Sequence, residues 1–291
     1  MKPIRSFLFV PGNKASMLDK AAQAGADAVI LDLEDSVPLA DKEIARDLVA
    51  ARIAPLAEQG ERVWVRINKS AHIYDYADIL AIAQPGLEGV MISKPVGTED
   101  VYMASAMIAE AEIQTRLEPG SIKVVPLLET APAMQKCFEI AQMPRVVALV
   151  GASAKNADMA RALGIAWTSE GRETDYLKSR VVMAARAAGV LPIGGIWQQV
   201  KDTDGQAKAA KADRRLGMTG ELILHPIQVE TANRAYSPTA DDVAYYQGMI
   251  DALDAAIAKG RASVMYFGEH IDIAHVKTAR EIIAMAQTLS N

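Results

Sequence analysis

Ala28-Val29-Ile30-Leu31-Asp32-Leu33-Glu34-Asp35 is an apolar run that ends in carboxylates. It has the length of a buried strand, and Ser36-Val37-Pro38 breaks the chain behind it. A helical pattern follows over residues 41–59, and a second apolar run, 62–67, ends Val65-Arg66-Ile67-Asn68. Strand, helix and strand in that order make one βαβ unit, whose strands are parallel and whose crossover is right-handed.

The same unit recurs on both sides. Strands are predicted over 5–10, 28–33, 62–67, 89–93, 122–128, 145–150, 190–193 and 221–224, with helices over 14–24, 41–59, 98–117, 131–142, 172–188 and 206–216. Eight strands alternating with helices predict an α/β chain folded as a (β/α)8 TIM barrel, with an open doubly wound sheet as the alternative. Gly25 and Gly189 stand where helices need a left-handed C-cap. Beyond the eighth unit, Ser237-Pro238-Thr239 opens a helix to about residue 259 and another spans roughly 271–289. The barrel domain is therefore placed at 1–236 and a C-terminal helical appendage at 237–291. Capping a neighbouring subunit, covering the barrel mouth and packing as an idle helix pair are the alternatives for the appendage.

Composition bounds the partners. With 291 residues, 51% hydrophobic and 23% charged, the chain is globular rather than disordered. A net charge of −5 gives no broad electropositive field, so no nucleic acid and no membrane partner is expected. Cys137 is the single cysteine and sits in an apolar helical pattern, which predicts a buried thiol and a reducing, cytoplasmic location. The first ten residues lack the apolar core and cleavage site of a secretory signal, and no 18-residue apolar stretch occurs.

In a barrel of this kind the catalytic groups gather where the strands end. Five runs end in polar residues at that side: Asp32-Leu33-Glu34-Asp35, Arg66-Ile67-Asn68, Ser93-Lys94-Pro95, Glu129-Thr130 and His225-Pro226. Glu129 follows an apolar run and precedes a helix start. With Asp158, after the sixth strand, it makes two oxygen ligands suited to Mg2+, which binds one or two carboxylates and keeps water or substrate elsewhere. Asp158 also reads as a surface residue at a helix start. Arg66 suits bidentate binding of a carboxylate, or else a buried salt bridge with Asp32 or Glu34. Lys94 is expected to be protonated and paired among these acids rather than a Schiff-base nucleophile. The turn Val10-Pro11-Gly12-Asn13-Lys14 is a weak phosphate-binding candidate. His225 is expected to be structural, and His72, His270 and His275 form no constellation. No GxGxxG, Walker A, GxSxG or HExxH pattern occurs, and there is no His/Cys cluster for zinc.

Arg5-Ser6-Phe7-Leu8-Phe9-Val10-Pro11-Gly12-Asn13, Leu31-Asp32-Leu33-Glu34-Asp35-Ser36-Val37, Val65-Arg66-Ile67-Asn68, Leu128-Glu129-Thr130, Ala184-Ala185-Arg186-Ala187-Ala188-Gly189 and His225-Pro226 with Gln228 occur in this order. Together they resemble the citrate lyase β-subunit-like and malyl-CoA lyase family, within the HpcH/HpaI aldolases, over about four-fifths of the chain. The resemblance implies Mg2+ on Glu129 and on Asp158, the latter ahead of Leu163-Gly164, and an oxo-acid-holding arginine at Arg66. Two departures stand out: the loop 151–157 lacks the acidic residue common before that Asp, and Ile193-Gly194-Gly195 has glycine where many relatives carry Asp.

The function so implied is reversible cleavage of a malyl-, citramalyl- or citryl-type 3-hydroxy-3-carboxyacyl-CoA to an acyl-CoA and a small 2-oxo acid. Arg66 and Glu129 are the expected catalytic and substrate-binding residues, Glu129 and Asp158 the metal ligands, and a homo-oligomer is the expected assembly. The general base is left among Asp32, Glu34 and Asp35. The alternatives are a class II aldolase on free hydroxy-oxo acids, a malyl-CoA-type thioesterase, and a non-catalytic CoA-ligand-binding protein.

Overall fold

The computed structural model describes residues 3–151 and 154–290. Two compact units divide the chain, Pro3–Tyr236 and 237–290.

In the first unit eight strands run parallel: β1 (Ser6–Pro11), β2 (Ala28–Asp32), β3 (Val63–Ile67), β4 (Leu87–Ile92), β5 (Lys123–Pro126), β6 (Ala148–Gly151), β7 (Leu191–Ile196) and β8 (Gly220–Ile223). Their order in the sheet is β5-β4-β3-β2-β1-β8-β7-β6, and the two end strands meet through parallel bridges at Val124–Val146 and Leu127–Val150. That seam makes the sheet a barrel, and the open-sheet alternative falls. Around it run α1 (Ala15–Leu18), α2 (Lys42–Glu58), α3 (Tyr76–Ile82), α4 (Thr98–Thr115), α5 (Ala131–Gln135), α6 (Cys137–Ala141), α7 (Asp158–Leu163), α8 (Asp175–Ala188), α9 (Thr203–Leu216) and α10 (Val229–Tyr236).

Alternation along each strand sorts the side chains into two cores. Phe7, Ile30, Trp64, Met91, Val125, Ile193 and Leu222 fill the barrel, whereas Leu8, Val29, Leu31, Val63, Val65 and Val90 pack outward beneath the helices. Phe7 and Trp64 meet edge to face, with ring centroids 5.6 Å apart. Gly89 lies against the Trp64 ring, where any Cβ would collide with it. Since Trp64 points inward, alternation sends Arg66 inward one layer higher, and Asp32 beside it in register.

At the other end of the barrel, Glu112 of α4 is fully buried and paired with Arg145, at 2.7 Å between Oε2 and Nη2. The same carboxylate accepts from the Gly120 and Ile122 amides, while Arg145 also donates to the Ile122 carbonyl. Its own carbonyl accepts from Val124 N across the seam.

Several boundaries differ from the sequence expectation. The predicted helix 14–24 is α1 followed by a 3-10 turn, closed by Gly25 at φ 67°. The predicted helix 131–142 is interrupted at Lys136, whose φ and ψ of −101° and 20° leave the helical region. Helices α3 and α10 were not predicted. Asp75 caps α3 by accepting from Ala77 N and Asp78 N.

The second unit has α11 (Ala240–Ile257) and α12 (Ile273–Ser290), with an unpredicted hairpin between them, β9 (Val264–Tyr266) and β10 (Glu269–Ile271). Thr239 and Asp242 form a capping box at the start of α11. Met249, Leu253, Ile271, Val276 and Ala279 form this unit's own core. Among the described residues no helix is long and apolar enough to cross a membrane.

Candidate active site

A cavity of about 330 Å3 opens at the C-terminal ends of the strands, lined among others by Phe9, Arg66, Leu127, Glu129, Asp158 and Leu224. Its polar side comes from β2, β3 and the segments after β5 and β6. Its apolar side comes from β1, β7 and β8, through Phe9, Ile196, Leu222 and Leu224. The three site residues expected from the sequence, Arg66, Glu129 and Asp158, all line this one cavity.

Arg66 lines the mouth, and the buried salt bridge with Asp32 and Glu34 is present. Nε and Nη2 donate to the two oxygens of Asp32 at 2.6 Å each, and Nη1 lies 3.1 Å from Glu34 Oε2. The guanidinium carbon sits 4.6 Å from the Phe9 ring centroid. A guanidinium has five N–H donors, so donors on Nη1 and Nη2 remain for a ligand. Burial favours losing the charge of Arg66, but the Asp32 hydrogen bonds and the nearby carboxylates outweigh it and raise its pKa. Asp32 is the mirror case: burial acts to raise its pKa, and the Arg66 contact overcomes this and lowers it. A carboxylate so held is a poor proton acceptor, which weighs against Asp32 as the base.

Glu129 is different. Burial pushes its carboxyl up to about 7, with Glu34 and Asp158 adding to the rise against the Arg66 and Lys94 charges. Its Oε2 is buried without a hydrogen-bond partner. Asp158 stands at a helix start, as one of its two readings had it, and is the first residue of α7. Its Oδ1 accepts from Arg161 Nη2 at 2.6 Å and its Oδ2 lies 3.7 Å from Lys94 Nζ. An unpartnered buried oxygen beside a second carboxylate is a donor set that fits a hard divalent ion. Among the described residues no three His, Cys, Asp or Glu side chains form a ready cage. An ion on Glu129 and Asp158 would therefore complete its shell with water or substrate oxygens. Of the departing loop 151–157, Ala152 and Ser153 lie outside the described residues.

Ser93 and Gln228 stand out in the sequence without a role, and the structure shows what they hold. Ser93 Oγ donates to Glu34 Oε1 at 2.6 Å. Gln228, 1% exposed, accepts from Leu224 N and His225 N and donates to the Trp197 carbonyl, tying together the segments after β8 and β7. His225 accepts from Ile227 N and is structural, as expected. Lys94 is paired, as expected, with Glu34 and Asp35. Gly12 is used for packing: its amide donates to the Asp32 carbonyl, and a Cβ there would strike that backbone and Val49. A Cβ at Gly194 would point toward Asp213 and Glu221, the carboxylates of a neighbouring cavity.

A second cavity, about 470 Å3, lies beyond Ile196 and is lined by Trp167, Trp197, Lys178, Asp213 and Glu221. Burial pushes the Glu221 carboxyl up to about 8, with Asp213 adding to it against a hydrogen bond from Gln206. The folded-state pKa is raised, so its stabilisation is complete below the unfolded value of 4.5 and is lost as pH rises through about 8. Glu221→Gln is expected to remove this loss and to be the more stable form above pH 8, by at most about 5 kcal/mol. Urea denaturation of both proteins from pH 5 to 9 checks it.

The model of the HpcH/HpaI aldolase/citrate lyase family matches residues 5–226. An L-malyl-CoA/beta-methylmalyl-CoA lyase of Cereibacter sphaeroides (strain ATCC 17025 / ATH 2.4.3) is 32% identical over 311 residues, covering 99% of this chain and 96% of that protein. A (3S)-malyl-CoA thioesterase of the same strain is 29% identical, again covering 99% and 96%. Among solved structures, CitE from Mycobacterium tuberculosis in complex with magnesium, acetoacetate and coenzyme A superposes with a TM-score of 0.77 at 25% identity, covering 98% of each chain. A citrate lyase from Burkholderia xenovorans LB400, at 21% identity and a TM-score of 0.83, shares the fold.

Proposed function

The chain belongs to the HpcH/HpaI aldolase/citrate lyase family and is a carbon–carbon lyase, and from this premise we propose that its substrate is a 3-hydroxy-3-carboxyacyl-CoA. Such a malyl-, citramalyl- or citryl-type thioester would be cleaved reversibly to an acyl-CoA and a 2-oxo acid. The observation that carries the reading is the unpartnered, buried Glu129 oxygen beside Asp158 and Arg66 in one cavity. Glu129 and Asp158 would hold Mg2+, which when bound lowers the pKa of a substrate hydroxyl and stabilises the negative charge that develops on it.

The chain's own groups do the rest. Arg66 directs its remaining donors at the substrate carboxylate, and Asp32 fixes the plane of the guanidinium so that little order is lost on binding. Phe9, Leu127, Ile196 and Leu224 exclude water around the reacting carbons. In cleavage the hydroxyl proton leaves, the bond between the carbinol carbon and its thioester-bearing neighbour breaks, and that neighbour takes up the electron pair and then a proton. The product half that carried the hydroxyl becomes the 2-oxo acid. We further read the protein as a cytoplasmic homo-oligomer, and light scattering on the purified chain gives its subunit number.

A second reading is favoured by one observation, the thioesterase that matches over the same span. The test is product formation from racemic malyl-, citramalyl- and citryl-CoA, each with Mg2+ and with EDTA, following acyl-CoA, free CoA and oxo acid separately. EDTA-sensitive acyl-CoA and oxo acid in equal amounts establish the lyase. Free CoA with the parent hydroxy acid, and no acyl-CoA or oxo acid released, establishes the thioesterase. Absence of turnover with all three thioesters rejects both.

A further inference from the structure

Lys94, just past β4, has φ 51°, a left-handed conformation uncommon outside glycine. Its backbone is pinned on both sides: the Tyr74 hydroxyl donates to the Ser93 carbonyl at 3.1 Å, and the Lys69 ammonium donates to the Lys94 carbonyl at 2.8 Å. The side chain is therefore aimed from a fixed base. Its ammonium lies 2.8 Å from Glu34 Oε1, 2.9 Å from Asp35 Oδ2 and 3.7 Å from Asp158 Oδ2. Carboxylates from two separate segments, after β2 and at the start of α7, converge on one point that holds a positive charge.

An ammonium is a compact point charge, and hard divalent ions are held by the same kind of oxygen set at only slightly shorter distances. Without Lys94, Glu34 and Asp35 would be two adjacent carboxylates whose nearest remaining positive charge is Arg66 Nη1, 3.1 and 3.8 Å away, with the neutral Ser93 hydroxyl 2.6 Å from Glu34 Oε1. Uncompensated charge in a partly buried place attracts whatever cation is available. We propose that Lys94 is a built-in counter-ion that keeps Glu34 and Asp35 from capturing a second divalent cation, so that the mouth accepts a single ion. This rests on the reading of Glu129 and Asp158 as the metal pair. Lys94 is then a residue that determines metal number, and Asp158 Oδ2 marks the boundary between the permitted position and the excluded one.

The test is Mn2+ binding to the full chain without substrate, by isothermal titration and by the electron paramagnetic resonance signal of free Mn2+. Wild type and Lys94→Arg should bind one Mn2+. Lys94→Met should bind two, and the second should disappear when Glu34→Gln is added. Lys94→Gln, which keeps hydrogen-bonding capacity but no charge, should also gain the second ion and serves if the Met variant does not fold. Unchanged stoichiometry in both neutral variants overturns the inference and leaves the Glu129–Asp158 reading intact. If wild type binds none, the Glu129–Asp158 reading fails by itself. The counter-ion role then stands if a neutral variant gains an ion, and falls if it gains none.

Discussion

Glu129→Gln is expected to lower metal-dependent turnover by about 10^3-fold or more while leaving the fold intact. A bound divalent ion contributes several kcal/mol of transition-state stabilisation, and each 1.4 kcal/mol is about tenfold in rate. Gln keeps the shape of Glu129 but offers a neutral oxygen in place of a charged one. Its stability should not suffer, because Oε2 of the native residue has no hydrogen bond to lose and burial already disfavours its charge. The measurements are kcat with saturating Mg2+, Mn2+ affinity, and a thermal melt. Turnover equal to wild type, in a variant with the same melting temperature, would sink the assignment of Glu129.

The second large effect belongs to stability. Arg145→Ala should cost about 3–5 kcal/mol, because it strands a fully buried Glu112 charge. At roughly 2–4 °C per kcal/mol for a domain of this size, the melting temperature should fall by about 10 °C. Burial alone would raise the Glu112 pKa, and the Arg145 contact with the Gly120 and Ile122 amides reverses this and lowers it. Its contribution is present above the unfolded value of 4.5 and fades as pH falls through the depressed folded one. The difference between wild type and Arg145→Ala should therefore shrink in acid. Urea unfolding at pH 7 and pH 3 measures both, and Arg145→Ala with Glu112→Leu should recover part of the loss. A loss below about 1 kcal/mol at pH 7 would mean that the pair is solvated in solution.

The eight strands were legible because each is an apolar run flanked by a helical pattern, and period alone separates the two. The C-terminal hairpin was not. Its turn is Phe267-Gly268, both with positive φ, and Phe at the first position gives none of the Asn-Gly or Asp-Gly signal that such turns show. Helix α3 was hidden because only seven residues, Tyr76–Ile82, carry its pattern. Of the mouth, Arg66 could be placed from the alternation of its strand, and Glu129 from its position just after an apolar run. The Asp32 partner of Arg66 was legible as a salt bridge, but the contacts that tie the surrounding segments together were not. Ser93 and Gln228 are ordinary polar residues in the sequence, and their importance lies in distances across 59 residues, from Ser93 to Glu34, and 31 residues, from Gln228 to Trp197. No local pattern records such pairings.

The mouth is divided by side, with charge on the arc from β2 to β6 and hydrocarbon on the arc formed by β1, β7 and β8. The arc that would handle the oxo-acid end is cross-linked by ion pairs, and exchanging one member exposes the others. On the opposite arc, Ile196 and Leu224 contribute only volume, while Gln228 secures the backbone near both. Exchanging those two side chains for smaller or larger ones would change the volume of that side of the cavity without disturbing a single charge. The shape of one arc can thus be altered by substitution while the ion pairs of the other stay in place.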